Sequence, residues 1–119
     1  MGNFKNLEVW KESKDLAVHI YKLTSTGPVS KDYGLRDQMR RAAVSIPSNL
    51  AEGEESGSLK KSLSYFYIAK GSLAELQTQI VISNETGYFE NPVCEDMEQK
   101  IDILSSKIRK LIQYRANLI

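Results

Sequence analysis

Three breaks divide this 119-residue chain into four segments whose apolar residues recur with the spacing of an α-helix. We predict helices over residues 7–24, 35–52 and 58–86, and a fourth helix that begins at residue 91. No stretch alternates apolar and polar residues over the length of a strand, so the sequence predicts an all-α protein. Glycine or proline marks each break, because both end or begin helices: Gly27, Pro28, Gly53, Gly87 and Pro92.

The breaks are short, which favours antiparallel packing of successive helices. We therefore predict an antiparallel, up-down-up-down four-helix bundle, and the chain length predicts a single domain over residues 1–119. Pro47 lies inside the apolar stripe of helix two, and since proline removes one backbone hydrogen bond we predict a kink there. Gly53 is the predicted C-cap of helix two, and Asn91 is the predicted N-cap of helix four.

The charge and cysteine content restrict the class of protein. Lysine and arginine number 16 against 15 aspartates and glutamates, whereas a free-standing nucleic-acid-binding domain usually has a clear basic excess. The single cysteine, Cys94, permits no intramolecular disulfide, which is typical of a reducing compartment. No segment has the pattern of a signal peptide or of a membrane span. We therefore expect a cytoplasmic protein with no membrane partner.

The sequence predicts no catalytic, metal or cofactor site. His19 is the only histidine, and with Asp15 four residues earlier it supplies at most half of a metal site; an exposed charged pair is the interpretation we favour. No serine lies in a nucleophile elbow, and no glycine-rich loop has the spacing that cradles phosphate. We therefore expect a protein that is not an enzyme and has no small-molecule substrate.

Helix three is apolar on more than one side. Residues 65–69 and 80–82 are almost all apolar, whereas a surface helix needs only one apolar face. In so small a protein the second face is best covered by another copy of the chain, and we predict a homo-oligomer. Lys70 shares its face with Leu63 and Phe66, and we predict that it forms an ion pair with Glu52 because an unpaired buried lysine is costly.

A polar stripe on helix two leaves three interpretations open: an oligomer interface, a polar groove, or a solvated surface, which is the commonest case. It contains Arg41, Ser45, Ser48, Asn49 and Glu52. An enzyme that uses Ser45, Asn49 and Glu52 is a distant fourth option. The basic residues form small groups that predict solvated faces: Arg36, Arg40 and Arg41; Lys60 and Lys61; Lys107, Arg109, Lys110 and Arg115.

Residues 33–53 resemble the signature of the bacterial four-helix-bundle proteins encoded in intervening sequences of 23S ribosomal RNA, also called S23-type proteins. Three further stretches, residues 7–10, 68–76 and 86–88, agree with this family. The resemblance implies an up-down bundle that assembles as pentameric rings, and one basic relative is implicated in nucleic-acid binding. The family pattern places its charged and polar positions at Arg40, Arg41, Ser45, Ser48, Asn49, Glu52, Lys70 and Glu75.

Two functions therefore compete. The first is a non-enzymatic oligomeric scaffold that contacts RNA or a ribonucleoprotein, with contacts from Arg36, Arg40, Arg41, Lys60 and Lys61. The alternative is a protein-interaction scaffold that binds no nucleic acid. The distribution of charge separates them. Basic residues gathered on one rim favour RNA, and basic residues scattered among acids favour protein; the test set is Arg36, Arg40, Lys60, Lys61, Lys107 and Lys110.

Overall fold

The structure is a computed structural model that describes residues 3–118. Within these residues it contains four α-helices, two short 3-10 helices and no strand, which confirms the predicted all-α fold with four helices. The α-helices are α1 Glu8–Leu23, α2 Tyr33–Glu55, α3 Leu59–Glu85 and α4 Asn91–Ala116, and the 3-10 helices are Phe4–Asn6 and Pro28–Lys31.

The predicted helix ends agree within three residues, and the two predicted caps are wrong. The Asp32 carboxylate caps α2 by accepting from the Leu35 N–H at 3.2 Å. Gly53 lies inside α2, which continues to Glu55. The glycine allows close packing against Phe66 and does not end the helix. Asn91 is the first residue of α4 and its N-cap is Glu90.

Contacts between α2 and α3 run in opposite directions along the two helices. The Met39 sulfur, early in α2, accepts from the Ser83 hydroxyl, late in α3. The Gly53 carbonyl, late in α2, accepts from the Ser62 hydroxyl, early in α3. This is the order that antiparallel neighbours require. Pro47 lies within one continuous helix, and the kink stays a prediction.

The core is built from the apolar stripes of all four helices, and burial of these side chains is the main stabilising contribution. The largest fully buried members are Ile20, Met39, Ile46, Leu50, Phe66, Leu73, Leu76, Ile80, Met97, Ile101 and Ile108, and Val29 of the 3-10 helix Pro28–Lys31 is buried with them. Between residues 3 and 118, no helix combines the length and apolar character that a membrane span requires.

The segment between α3 and α4 is tied back to the start of α2. The Tyr88 hydroxyl donates to Asp32 Oδ2 at 2.8 Å, and Asp32 Oδ1 is the atom that caps α2. This hydrogen bond to Asp32 raises the pKa of Tyr88. Gly87 precedes the tyrosine with a φ of 85°, a left-handed conformation that glycine adopts without steric cost.

Candidate interaction surfaces

The polar stripe of α2 faces the seam between α2 and α3. The Ser45 and Ser72 hydroxyls share a hydrogen bond of 2.8 Å across this seam. The Asn49 amide donates to the carbonyl oxygen and to the hydroxyl of Ser45, at 2.8 and 2.9 Å. Arg41, Ser48 and Glu52 are exposed, so the stripe has an inner edge that joins the helices and an outer edge that faces solvent.

The same seam closes most tightly near the end of α2. A Cβ atom at Gly53 would lie 2.5 Å from the Phe66 ring, a distance that real Cβ contacts do not reach. The Ser62 hydroxyl donates to the Gly53 carbonyl at 2.6 Å. Glycine and serine therefore let the two backbones approach closely here, and the ring of Phe66 fills the remaining space.

A buried ion pair beside this seam was missed by the sequence analysis. Arg115 Nη2 lies 2.8 Å from Glu54 Oε1, and the two side chains are only 12% and 7% exposed. The guanidinium also lies over the Phe66 ring, 5.6 Å from its centre. The prediction that Arg115 belongs to a solvated basic face is therefore wrong. The two residues are 61 positions apart, and no local spacing pattern could have paired them.

The predicted ion pair between Lys70 and Glu52 is also wrong. Lys70 lies half-buried in a groove between α3 and α4, together with Ile101 and Ser105 of α4. Glu52 is exposed on α2, and no ion pair joins it to Lys70 within the described part of the chain. Lys70 therefore lies on the side of α3 that meets α4, whereas Phe66, which we predicted on the same face, packs against Gly53 of α2.

Two of the predicted nucleic-acid contacts are engaged within the chain. Arg40 Nε donates to the Thr24 hydroxyl at 2.9 Å, and its guanidinium lies 4.6 Å from the centre of the Tyr21 ring. Arg40 therefore ties α2 to the C-terminus of α1, where positive charge is favourable. Arg36 forms an exposed pair with Asp37 at 3.0 Å and donates to the Ser30 carbonyl at 3.1 Å.

The other three predicted contacts are exposed and lie at two different levels along the bundle. Arg41 is eight residues from the start of α2, whereas Lys60 and Lys61 lie in the first turn of α3, beside the end of α2 at Gly53. At 1.5 Å of rise per residue the two groups are about 20 Å apart along the axis. Within residues 3–118 none of the three forms an ion pair.

Lys107 shows how acids are interleaved with the basic residues. Its ammonium lies 2.9 Å from Glu8 Oε1 and 2.6 Å from Glu12 Oε1, and it bridges α4 to α1. The hydrogen bond from Lys107 lowers the pKa of Glu8, and the hydrogen bonds to Glu12 and Glu8 raise the pKa of Lys107. In the single chain, the six basic residues whose clustering would favour RNA therefore do not form one uniform basic rim.

The groove between α1 and α4 contains His19. It has a volume of about 370 Å³ and is lined by Glu12, Asp15, Leu16, His19, Lys100, Ile103 and Leu104. Partial burial, followed by the charge of Lys100, lowers the pKa of His19. Within the described residues, no group of three or more His, Cys, Asp and Glu side chains is arranged to hold a metal ion.

A third groove, between α1 and α2, has a different character. Its volume is about 460 Å³, and we call it the α1–α2 groove; its lining residues are Lys14, Ala17, Val18, Tyr21, Lys22, Val44 and Pro47. Val18, Tyr21 and Val44 are 46%, 44% and 41% exposed. The groove is thus an apolar surface with a lysine toward each end.

The outer side of α3 carries the other exposed apolar residues of interest. Ile68, Glu75 and Ile82 follow one another at seven-residue spacing, which places them on one side of a helix, and Glu85 lies one turn beyond Ile82. All four are exposed, and Ile68 and Ile82 are 50% and 45% exposed. We call these four residues the α3 ridge.

Comparison with known families identifies the chain. A family model described as 23S rRNA-intervening sequence protein matches residues 5–110. The chain belongs to this family. The resemblance inferred from residues 33–53 is therefore confirmed, and the match covers the polar stripe of α2, the α1–α2 groove and the α3 ridge. None of the curated proteins matches the chain.

A solved structure of a related protein shows the same fold. It is a protein of unknown function from the S23 ribosomal protein family of Bacteroides thetaiotaomicron VPI-5482. The two structures align with a TM-score of 0.82 at 20% sequence identity, over 88% of this chain and 95% of that chain. This chain therefore shares its fold with a solved structure.

Proposed function

We propose that this protein is a non-enzymatic, homo-oligomeric scaffold of the cytoplasm. The observation that carries the proposal is the exposed apolar lining of the α1–α2 groove, and the exposed Ile68 and Ile82 of the α3 ridge add to it. Soluble monomers keep contiguous apolar patches small, and larger ones mark interaction sites. The pattern of α3 that predicts a second covered face supports the same conclusion, as Ile68 and Ile82 are open to solvent in the single chain.

The scaffold proposal is tested by the mass of the full chain in solution. We expect light scattering after size-exclusion chromatography, at micromolar concentration, to give a multiple of the 13.5 kDa chain mass. Five copies is the count that the family resemblance implies. A mass of one chain across the concentration range would contradict the proposal.

Hydrolase, phosphatase and nuclease assays on the same sample test the non-enzymatic part of the proposal. Its support is that neither the family's description nor the description of the solved structure names a reaction.

RNA contact is the second candidate function. The observation that favours it is that Arg41, Lys60 and Lys61 are exposed and lack an ion pair among the described residues. An oligomer repeats these charges, and repetition strengthens a weak contact. The neutralisation of Arg36 and Lys107 by acids favours the alternative, in which the scaffold engages protein.

Fluorescence anisotropy separates the two candidates. The wild-type chain is titrated into a structured ribosomal RNA fragment and a matched duplex DNA at low and physiological salt. RNA contact predicts preferential, salt-sensitive binding that weakens when Arg41, Lys60 and Lys61 are changed to glutamine. Lys5→Gln/Lys11→Gln/Lys31→Gln is the matched control, because these three cations are also exposed and belong to none of the predicted basic groups. No binding at low salt removes RNA as a partner and leaves the protein scaffold.

A further inference from the structure

We infer that the α1–α2 groove of one copy receives the α3 ridge of a neighbouring copy. This inference rests on the proposed homo-oligomer and adds which two surfaces meet. The argument depends on charge, spacing and the positions of the two surfaces on the bundle.

The α1–α2 groove offers an apolar floor between two positive charges. Val18 lies midway between Lys14 and Lys22, which are eight residues apart on α1 and therefore separated by about 12 Å. Lys14 has an exposed pair with Asp15 at 2.7 Å, and Lys22 has no ion pair among the described residues. An exposed pair of this kind is weak and exchanges partners readily.

The α3 ridge offers the complementary arrangement. Ile82 lies between Glu75, seven residues before it, and Glu85, three residues after it, and the two glutamates are separated by about 15 Å. The side chains of lysine and glutamate are long enough to absorb the difference of about 3 Å between the two spacings. An exposed isoleucine flanked by two carboxylates therefore fits an exposed apolar groove flanked by two ammonium groups.

The other grooves lack this complementarity. The groove between α1 and α4 has Glu12 and Asp15 on one wall and Lys100 on the other, so it would repel the carboxylates of the ridge from one side. The groove between α3 and α4 contains Lys70 alone among charged residues, and cannot flank the ridge with two positive charges. The α1–α2 groove is the one of the three that pairs both ends of the ridge.

The positions of the two surfaces determine the geometry of the contact. The groove lies between α1 and α2, whereas the ridge lies on the outer side of α3, so one copy cannot fill its own groove. Because the two surfaces differ, the contact is head-to-tail, and each copy has a free ridge and a free groove to offer. Head-to-tail contacts of this kind form rings when the rotation closes.

Complementation between two variants tests the contact. Val18→Asp disables the groove, and Ile82→Asp disables the ridge; both side chains are about half exposed, so the monomer keeps its core. Each variant alone should be monomeric, because the dissociation constant of its self-association should rise at least about tenfold above that of the wild-type chain. An equimolar mixture should form a 1:1 dimer and nothing larger, because it restores one intact groove and one intact ridge. Ile103→Asp, at 50% exposure on α4, is the matched control and should keep the wild-type mass.

Charge reversal provides a second measurement that does not touch the apolar residues. Lys14→Glu/Lys22→Glu and Glu75→Lys/Glu85→Lys should each weaken assembly at least about tenfold, and all four changes in one chain should restore it. Circular dichroism of every variant checks that the helices are retained.

The outcomes separate this inference from the proposed function. Sedimentation velocity that finds only monomer in the wild-type chain overturns both. An oligomeric wild-type chain that is unaffected by Val18→Asp and by Ile82→Asp overturns the inference and leaves the scaffold standing. Two monomeric variants whose mixture remains monomeric overturn the head-to-tail pairing.

Discussion

Helix α2 packs against α3 on one side and against α1 on the other. The α2–α3 seam is closed at the protein surface, whereas the α1–α2 seam opens into a groove. Between α2 and α3, small residues bring the backbones together, and Ser45 and Ser72 close the outer edge with a hydrogen bond. Between α1 and α2, larger side chains leave a groove of about 460 Å³ with Val18 and Val44 partly open to water. The first seam is complete within one chain, and the second leaves an apolar surface for a neighbour to cover.

This difference predicts that changes at the first seam act on folding, whereas changes at the outer edge of the second act on assembly. The largest effect is expected for Phe66→Ala. It removes a fully buried ring from the α2–α3 seam and should lower the free energy of unfolding by about 3–5 kcal/mol. Urea denaturation measures the loss. Tyr67→Ala, one position along but 57% exposed, is the control and should cost less than about 1 kcal/mol.

Gly53→Ala tests the close approach itself. The added methyl would meet the Phe66 ring and should destabilise the fold by about 1–3 kcal/mol, although alanine is the better helix former. Combining it with Phe66→Leu, which makes space, should cost less than the sum of the two single changes. Additive losses in the denaturation cycle would mean that the glycine does not serve this contact.

Arg40→Met tests the polar contact that ties α2 to the end of α1. It removes the guanidinium from the Thr24 hydroxyl and from the C-terminus of α1, and should cost about 1–2 kcal/mol in urea. Arg40→Lys should recover little of the lost stability. An ammonium group lacks the planar guanidinium that stacks on Tyr21 and donates to Thr24 at the same time. Full recovery by lysine would show that only the charge matters.

Val44→Ser tests the open edge of the same seam. In the Ile82→Asp background, where the chain should be monomeric, the change should alter the free energy of unfolding by less than about 0.5 kcal/mol, because Val44 is 41% exposed. In the wild-type background it should weaken assembly, measured by sedimentation equilibrium. A large loss of monomer stability would place Val44 in the fold rather than at an interface.

The smallest effect concerns the α1–α4 groove. Burial lowers the pKa of His19, so its neutral form stabilises the fold at pH above the ordinary value of 6.5, and this contribution is lost as the pH falls through the folded-state pKa. As His19 is the only histidine, its ring signals in an NMR titration report it without ambiguity. A midpoint above 6.5 would contradict the stated environment. His19→Gln should flatten the stability profile in the same pH window.

The helices of this protein could be predicted from the sequence, because apolar periodicity and glycine or proline breaks are local signals. The function of Gly53 could not, since a glycine after an apolar stripe has the same pattern whether it ends a helix or admits a ring from the next helix. Periodicity also placed Lys70 correctly on a face of α3, but which neighbour that face meets depends on the packing order of the bundle.

The surfaces show the same limit. The excess of apolar residues on α3 predicted a second face, and the structure shows Tyr67, Ile68 and Ile82 as the exposed members of the two apolar stretches. The α1–α2 groove was not predicted, because Val18 and Val44 lie on helices that each have an ordinary single stripe. The pair of Glu54 and Arg115 joins residues 61 positions apart and has no signal in either segment.

Radical footprinting of the wild-type chain tests most directly that the α1–α2 groove is covered by a neighbour. Tyr21 lies in the groove, and Tyr33 and Tyr114 lie elsewhere at 64% exposure, so the three tyrosines can be compared in one sample. The account predicts that Tyr21 is protected at micromolar concentration while Tyr33 and Tyr114 react, and that Ile82→Asp restores the reactivity of Tyr21. A Tyr21 that reacts in the assembled wild-type chain as it does in the Ile82→Asp variant would contradict it.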